Sequence, residues 1–99
     1  MKIPEETPEK KFNWYLYTVA LQKDRDKTKE RLVKDDVGAT VYYNPPVHRT
    51  PYYGQLVPGT KLPATEWSAE HVLSLPVHPQ VSEADVDHIA NSLKAILEK

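Results

Sequence analysis

The most regular alternation of apolar and polar positions lies at the end of the chain. Val86, Ile89, Ala90, Leu93, Ile96 and Leu97 recur at steps of three and four, one apolar stripe of an amphipathic helix. Ser82 and Asp85 stand where a capping box needs them, and Val81 with Val86 match the hydrophobic staple that accompanies it. A helix is therefore expected from Ser82 to about Leu97, docked on a sheet. Near the start the pattern differs. Phe12 to Leu21, FNWYLYTVAL, carries aromatic and β-branched residues on both alternating faces, which predicts a strand covered on both sides. Asp24 or Asp26 can then cap a helix through about Asp35, whose acidic start and Lys34 near its end suit the helix dipole. Its apolar stripe, Leu32 and Val33 with Thr28, is thin and points to a surface position. Gly38 is the expected left-handed residue behind it.

Val41 to Tyr43 read as the end of a second strand, and Asn44-Pro45-Pro46 stops its ladder, because proline has no amide to donate and forces its predecessor out of the helical region. Gly54 to Leu62 has no periodicity and is expected to be irregular. Pro63 suits the first position of a helix, with Ala64, Trp67, Ser68 and His71 on one side. Trp14 and Trp67 are assigned to the core. Val72 to Leu75 is a short strand cut off by Pro76. Residues 1–11, MKIPEETPEKK, have almost nothing to bury and read as a linker or disordered arm, leaving 12–99 as the folded unit. Strand, helix, strand, long loop, helix, short strand, helix is the order of an α+β fold or a small α/β layer, with helices against one face of a few strands.

Composition narrows the function more than the fold. Ninety-nine residues make one domain. Thirteen basic residues against fourteen acidic leave no charge excess that would argue for nucleic acid or anionic lipid. The absence of cysteine excludes disulfides, thiolate metal sites and a cysteine nucleophile, and fits a reducing, cytoplasmic home. The N-terminus has no signal-peptide core, and no apolar run approaches the roughly 20 residues of a membrane span.

Ala39 to Tyr53, ATVYYNPPVHRTPYY, is the stretch most suited to recognition. Four of the six tyrosines and three of the nine prolines fall within it, beside Asn44 and His48. A loop stiffened by proline loses less freedom on holding a ligand than a glycine-rich one. His48 is suited to hydrogen bonding or proton transfer near neutrality, or else to a tie with a backbone carbonyl. The tyrosines can stack on a sugar or base and offer hydroxyls, with about half of them expected to pack the sheet instead. His71, His78 and His88 lack metal-site spacing, with His78 expected to cap or bridge in its proline-bound segment. The Lys and Arg residues from Lys23 to Lys34 alternate with acids, as on a solvated helix face. No nucleophile elbow accompanies Ser68, Ser74 or Ser82.

Three landmarks in order, NWYLYTVAL, YYNPPVHRTPYY and LSLPVHPQVSEADVDHI, resemble the C-terminal domain of the DegT-type sugar aminotransferases, enzymes of fold type I that use pyridoxal phosphate to place an amino group on a nucleotide-linked keto sugar. The resemblance covers nearly all of residues 12–98. It implies a small, mostly antiparallel sheet of about three strands, with 12–99 as an aminotransferase C-terminal small domain. Tyr43 matches the family tyrosine of the loop and His48 its second histidine, whereas Tyr42 stands where the family commonly has a histidine. The resemblance makes Tyr42, Tyr43, Asn44, His48 and Tyr53 candidates for contact with the sugar nucleotide, Asn44 and Arg49 only as tuners of specificity. The lysine that holds the cofactor, the aspartate on its ring nitrogen and the phosphate cup belong to a larger preceding domain with no counterpart here. Pyridoxal phosphate is thus expected in a full-length enzyme and not on this chain alone. The implied partners are that cofactor domain or a second subunit and the nucleotide sugar, with a homodimer left open.

Two other readings stand beside this one. A free-standing module could grip a sugar, nucleotide or peptide through the tyrosine-proline loop without chemistry. A small self-contained enzyme built on His48 is less favoured, since no nucleophile is evident and the sequence places no second group to orient the ring.

Overall fold

Two four-residue strands organise the molecule, a computed structural model that describes residues 1–98. Strand β1 (Tyr17–Ala20) pairs antiparallel with β2 (Val72–Leu75), in the register Tyr17 to Leu75, Thr18 to Ser74, Val19 to Leu73 and Ala20 to Val72. Val19 and Leu73 face the core from the same rung, while on the other face the hydroxyls of Thr18 and Ser74 meet at 2.8 Å, so the buried Ser74 is satisfied. The architecture is α+β. Where a third strand was expected at Val41–Tyr43, Thr40 alone bridges to Ser74, exchanging both backbone hydrogen bonds with it. On the opposite edge Lys2 does the same with Ala20, which ties the start of the 1–11 arm to the sheet.

The first strand is shorter than its composition predicts. Trp14 has φ 52, a left-handed conformation that interrupts an extended run, and Asn13 Oδ1 accepts from the Tyr15 amide, a local bond that competes with a ladder. Trp14 is half-buried against its own neighbours rather than in the core, edge-on to Phe12 and stacked on Tyr17. Tyr15 and Leu16 are exposed, so the cover expected on the strand's second side is lacking there.

Helix α1 (Arg25–Lys34) begins at Asp24, which holds its N-cap position in a left-handed conformation, φ 56, without a side-chain bond. Leu32 is its buried contact and Val33 is exposed, in keeping with a thin stripe. Arg25 is buried as well; its Nη1 donates to the Val72 carbonyl at 3.0 Å, joining helix to strand. The left-handed residue after the helix is Asp36, φ 62, rather than Gly38, since a short polar side chain tolerates that region. Helix α2 (Pro51–Leu56) occupies part of what reads as irregular sequence, with Pro51 supplying the φ of a first helical position. Helix α3 (Pro63–His71) starts at Pro63 as expected.

Helix α4 (Glu83–Leu97) carries the full capping box: the Ser82 hydroxyl accepts from the Asp85 amide at 3.1 Å and the Asp85 carboxylate from the Ser82 amide at 3.0 Å. The Ser82 amide that donates to it, and next the Ser82 hydroxyl beside it, hold the Asp85 carboxyl below its ordinary range. Only Leu93 and Ile96 of its stripe are buried. With Val19, Leu21, Leu32, Val37, Ala39 and Leu73 they form one apolar cluster, to which Ile89 adds a partly buried flank. The rest of the stripe, Val86, Ala90 and Leu97, lines an open apolar groove of about 600 Å³ together with Tyr17, Met1 and Ile3. No helix among the described residues is long and apolar enough to cross a membrane.

Candidate functional site

Asn44, Pro45 and Pro46 forbid a continuous ladder, and the chain leaves the sheet after Thr40. The Tyr42–Tyr43 and Asn44–Pro45 peptide bonds are cis. A 3-10 turn, Val47–Arg49, closed by Arg49 N–H to the Pro46 carbonyl, then presents His48 and Arg49 side by side. Thr50 caps this turn by donating its hydroxyl to the Val47 carbonyl at 2.7 Å, and Pro51 starts α2 at once.

The tyrosines fall outside the core. Tyr42 and Tyr53 are exposed, Tyr43 is 72% and Tyr52 65% accessible, and the rings meet edge-on in two pairs, Tyr42 with Tyr43 at 5.1 Å and Tyr52 with Tyr53 at 5.0 Å. The expectation that half of them pack the sheet is wrong, because the segment is no strand and has no buried face to alternate toward. Asn44 is exposed beside them. Trp67 is likewise 44% exposed and stacks on His71 at 4.1 Å and 5° instead of entering the core.

His48 alone of the candidates is buried, at 8% accessibility. Among the described residues its ring is tied to no main-chain carbonyl. Nε2 lies 3.2 Å from Glu66 Oε2, while the other Glu66 oxygen accepts from Arg49 Nη2 at 2.7 Å and Oε2 also accepts the Leu62 amide at 2.6 Å. Glu66 is thus the hub that no sequence motif marked. Its carboxyl is held below the ordinary value, first by the Leu62 amide, then by the His48 hydrogen bond, with the Arg49 charge adding to both. The local reason is that Pro63 opens α3, so Glu66 falls in the first turn, where it reaches back to an otherwise orphan amide and meets the positive end of the helix. The signal available in the sequence was an acid three residues after a helix-starting proline.

Beside this hub His48, Arg49, Gly54, Gly59, Thr60 and Lys61 wall a cavity of about 380 Å³. Gly59 has φ 78, which a side chain would strain, and its turn brings Thr60 and Lys61 round to face His48. The structure therefore brings His48, Arg49 and Lys61 together, with Glu66 behind the first two. Tyr42, Tyr43, Asn44 and Tyr53 are outside the cavity wall, on the surface. The remaining histidines are satisfied locally: His71 Nδ1 and His88 Nε2 donate to the Trp67 and Asp35 carbonyls, both at 2.6 Å, and His78 Nδ1 accepts from the Gln80 amide. Among the described residues no three metal-ligating side chains converge.

Comparison with known proteins bears on the same stretch. The sequence pattern of the DegT/DnrJ/EryC1/StrS aminotransferases matches residues 1–94. The erythromycin biosynthesis sensory transduction protein EryC1 of Saccharopolyspora erythraea is 34% identical over 94 residues, which cover 94% of this chain and 25% of EryC1. A DegT/DnrJ/EryC1/StrS aminotransferase from Brucella abortus superposes with a TM-score of 0.86 at 32% identity, over 99% of this chain and 26% of that one. DesV of S. venezuelae, solved in complex with a ketimine intermediate, superposes with a TM-score of 0.90 at 27% identity, over 99% of this chain and 26% of DesV. The chain spans about a quarter of the length of each of these relatives. With almost its whole length matched in sequence and in backbone, the chain belongs to the DegT/DnrJ/EryC1/StrS aminotransferase family.

Proposed function

We propose that residues 12–99 act as the C-terminal small domain of a nucleotide-sugar aminotransferase, with 1–11 as the joining arm. The loop from Ala39 to Tyr53 gives its Tyr42, Tyr43, Asn44, His48 and Tyr53 to the sugar-nucleotide side of the active site. The observation that carries this reading is the exposure of all four tyrosines of a loop whose one histidine is buried at the wall of a cavity. A loop that served only to connect would not hold four aromatic rings in water.

Members of the family depend in general on pyridoxal phosphate, which supplies the electron sink for moving an amino group. A lysine that holds this cofactor must be withdrawn from solvent beside an acid for the ring nitrogen. Among the described residues no lysine is buried; the buried polar and charged groups are Arg25, Thr28, His48 and Ser74. The residues of this chain therefore do not fit the cofactor, and its role is limited to binding and orienting substrate. The apolar groove walled by Val86, Ala90 and Leu97 supports a second contact, with the cofactor domain or another subunit.

Titration of the isotope-labelled chain with UDP-glucose, followed by NMR, tests the reading. Shifts gathered at Tyr42, Tyr43, His48 and Tyr53 are expected; shifts absent from all four, with the probe at millimolar concentration, would overturn it.

A further inference from the structure

Glu66 belongs to no part of the tyrosine-proline loop, yet it touches both basic residues that the 3-10 turn presents. An ionised carboxylate only accepts, so its bond to His48 requires the proton on Nε2. The Leu62 amide and the His48 hydrogen bond lower the pKa of Glu66, which keeps it in that form at neutral pH. In the neutral imidazole the other nitrogen, Nδ1, is then a bare acceptor. No protein group bonds Nδ1 among the described residues, and no fully enclosed side-chain nitrogen or oxygen is left without a partner, so Nδ1 is not wholly sealed although the ring is buried. The residue lines the 380 Å³ cavity, with Arg49 and Lys61 on the same wall. Arg49 and the Leu62 amide hold the carboxylate from two further sides, which stops it from turning away.

We propose that Glu66 is the positioning residue of this site: it fixes His48 as the Nε2–H tautomer and aims Nδ1 to accept a hydroxyl proton of the sugar, with Arg49 and Lys61 beside it for the ligand's anionic end. This rests on the sugar-nucleotide reading above and adds to it the group that orients the histidine. If Glu66 serves only as a cap for α3, its bond to His48 is incidental and ligand binding does not depend on it.

The test compares ring-nitrogen NMR of the wild-type chain, Glu66→Gln and Glu66→Leu, above the pH at which imidazole titrates. His71 and His88 are internal controls, because each faces a carbonyl and must carry its proton on the bonded nitrogen whatever stands at position 66. The expected result is a protected His48 Nε2–H signal in the wild type and in Glu66→Gln, whose amide oxygen can still accept, and its loss in Glu66→Leu with the control signals unchanged. Affinity for UDP-glucose should fall by about tenfold or more in Glu66→Leu, as loss of a hydrogen bond in a ligand site implies. Retention of the His48 signal and of the affinity in Glu66→Leu would overturn the inference, as would a wild-type ring protonated on Nδ1. Should Glu66→Leu lose the control signals too, Glu66→Gln decides: loss of the His48 signal there, with controls intact, overturns it. A wild type that shows the protected Nε2–H but binds no UDP-glucose defeats the sugar-nucleotide reading and with it the role of Nδ1, whereas a bound probe with an indifferent Glu66 defeats the positioning role alone.

Discussion

The two halves of the molecule are held together by different forces. The half made of β1 with the Leu21 that follows it, α1, Val37 to Ala39, β2 and α4 contributes all eight members of the buried apolar cluster. The half from Thr40 to His71 buries Ala69 and His48 and little else, and keeps its form through the Glu66 carboxylate, two prolines at helix starts and a 3-10 turn. Burial of apolar area is indifferent to pH and modest salt, whereas a partly exposed ion pair is neither. The scaffold is thus built to stay, and the site to respond. Hydrogen exchange should find amides of α2 opening at lower free energy than those of β2.

That contrast can be broken most severely from the scaffold side. Leu73 is fully buried at the centre of the sheet, and Leu73→Ala is expected to cost about 2–5 kcal/mol in denaturant unfolding, a large part of what a domain of this size has. A loss below about 1 kcal/mol would mean that the cluster is loosely packed. Next in size is the cap of α4: Ser82→Ala removes the acceptor of the Asp85 amide and should cost about 1 kcal/mol in the same measurement.

Acid is a gentler probe and separates the halves. Because the folded Glu66 carboxyl ionises below its ordinary value of 4.5, the unfolded form takes up the proton first as pH falls. The stabilisation from Glu66 is therefore complete above about 4.5 and is lost as pH drops through the lower folded value. Asp85 behaves alike from its ordinary 3.8. Loop signals of Arg49 and Leu62, the groups bonded to the Glu66 carboxylate, should shift below about pH 4.5 before any change in β2, and Glu66→Gln should abolish that step. The smallest effect belongs to the exposed rings: Tyr43→Ala should alter stability by no more than about 0.5 kcal/mol while removing the response to UDP-glucose. Reduction with borohydride in the presence of pyridoxal phosphate should single out no lysine, and selective labelling at one would contradict the limited role given to this chain.

Several helix and strand limits were legible because their signals are local. The capping box of α4 needs only Ser82 and Asp85, the start of α3 only Pro63, and the end of β2 only Pro76. The loop was legible as a concentration of recognition-type side chains, though not its conformation: treating Val41 to Tyr43 as strand put half the tyrosines inside. Trp67 was misplaced for a related reason, since a large apolar ring can lie on His71 at the surface as well as in a core. Glu66 was missed because its partners are 17 and 18 residues away and are brought to it only by the turn at Val47–Arg49. No periodicity reports such a meeting.

The single-residue bridges at the two sides of the sheet have a further effect. A pair of four-residue strands would ordinarily leave two rows of free amides and carbonyls as templates for a foreign strand. Here Lys2 occupies one margin at Ala20 and Thr40 the other at Ser74, each from a segment that cannot itself propagate a ladder, since Pro4 follows the first and Pro45 and Pro46 the second. The chain thereby guards itself against stacking into fibrils without lengthening its sheet.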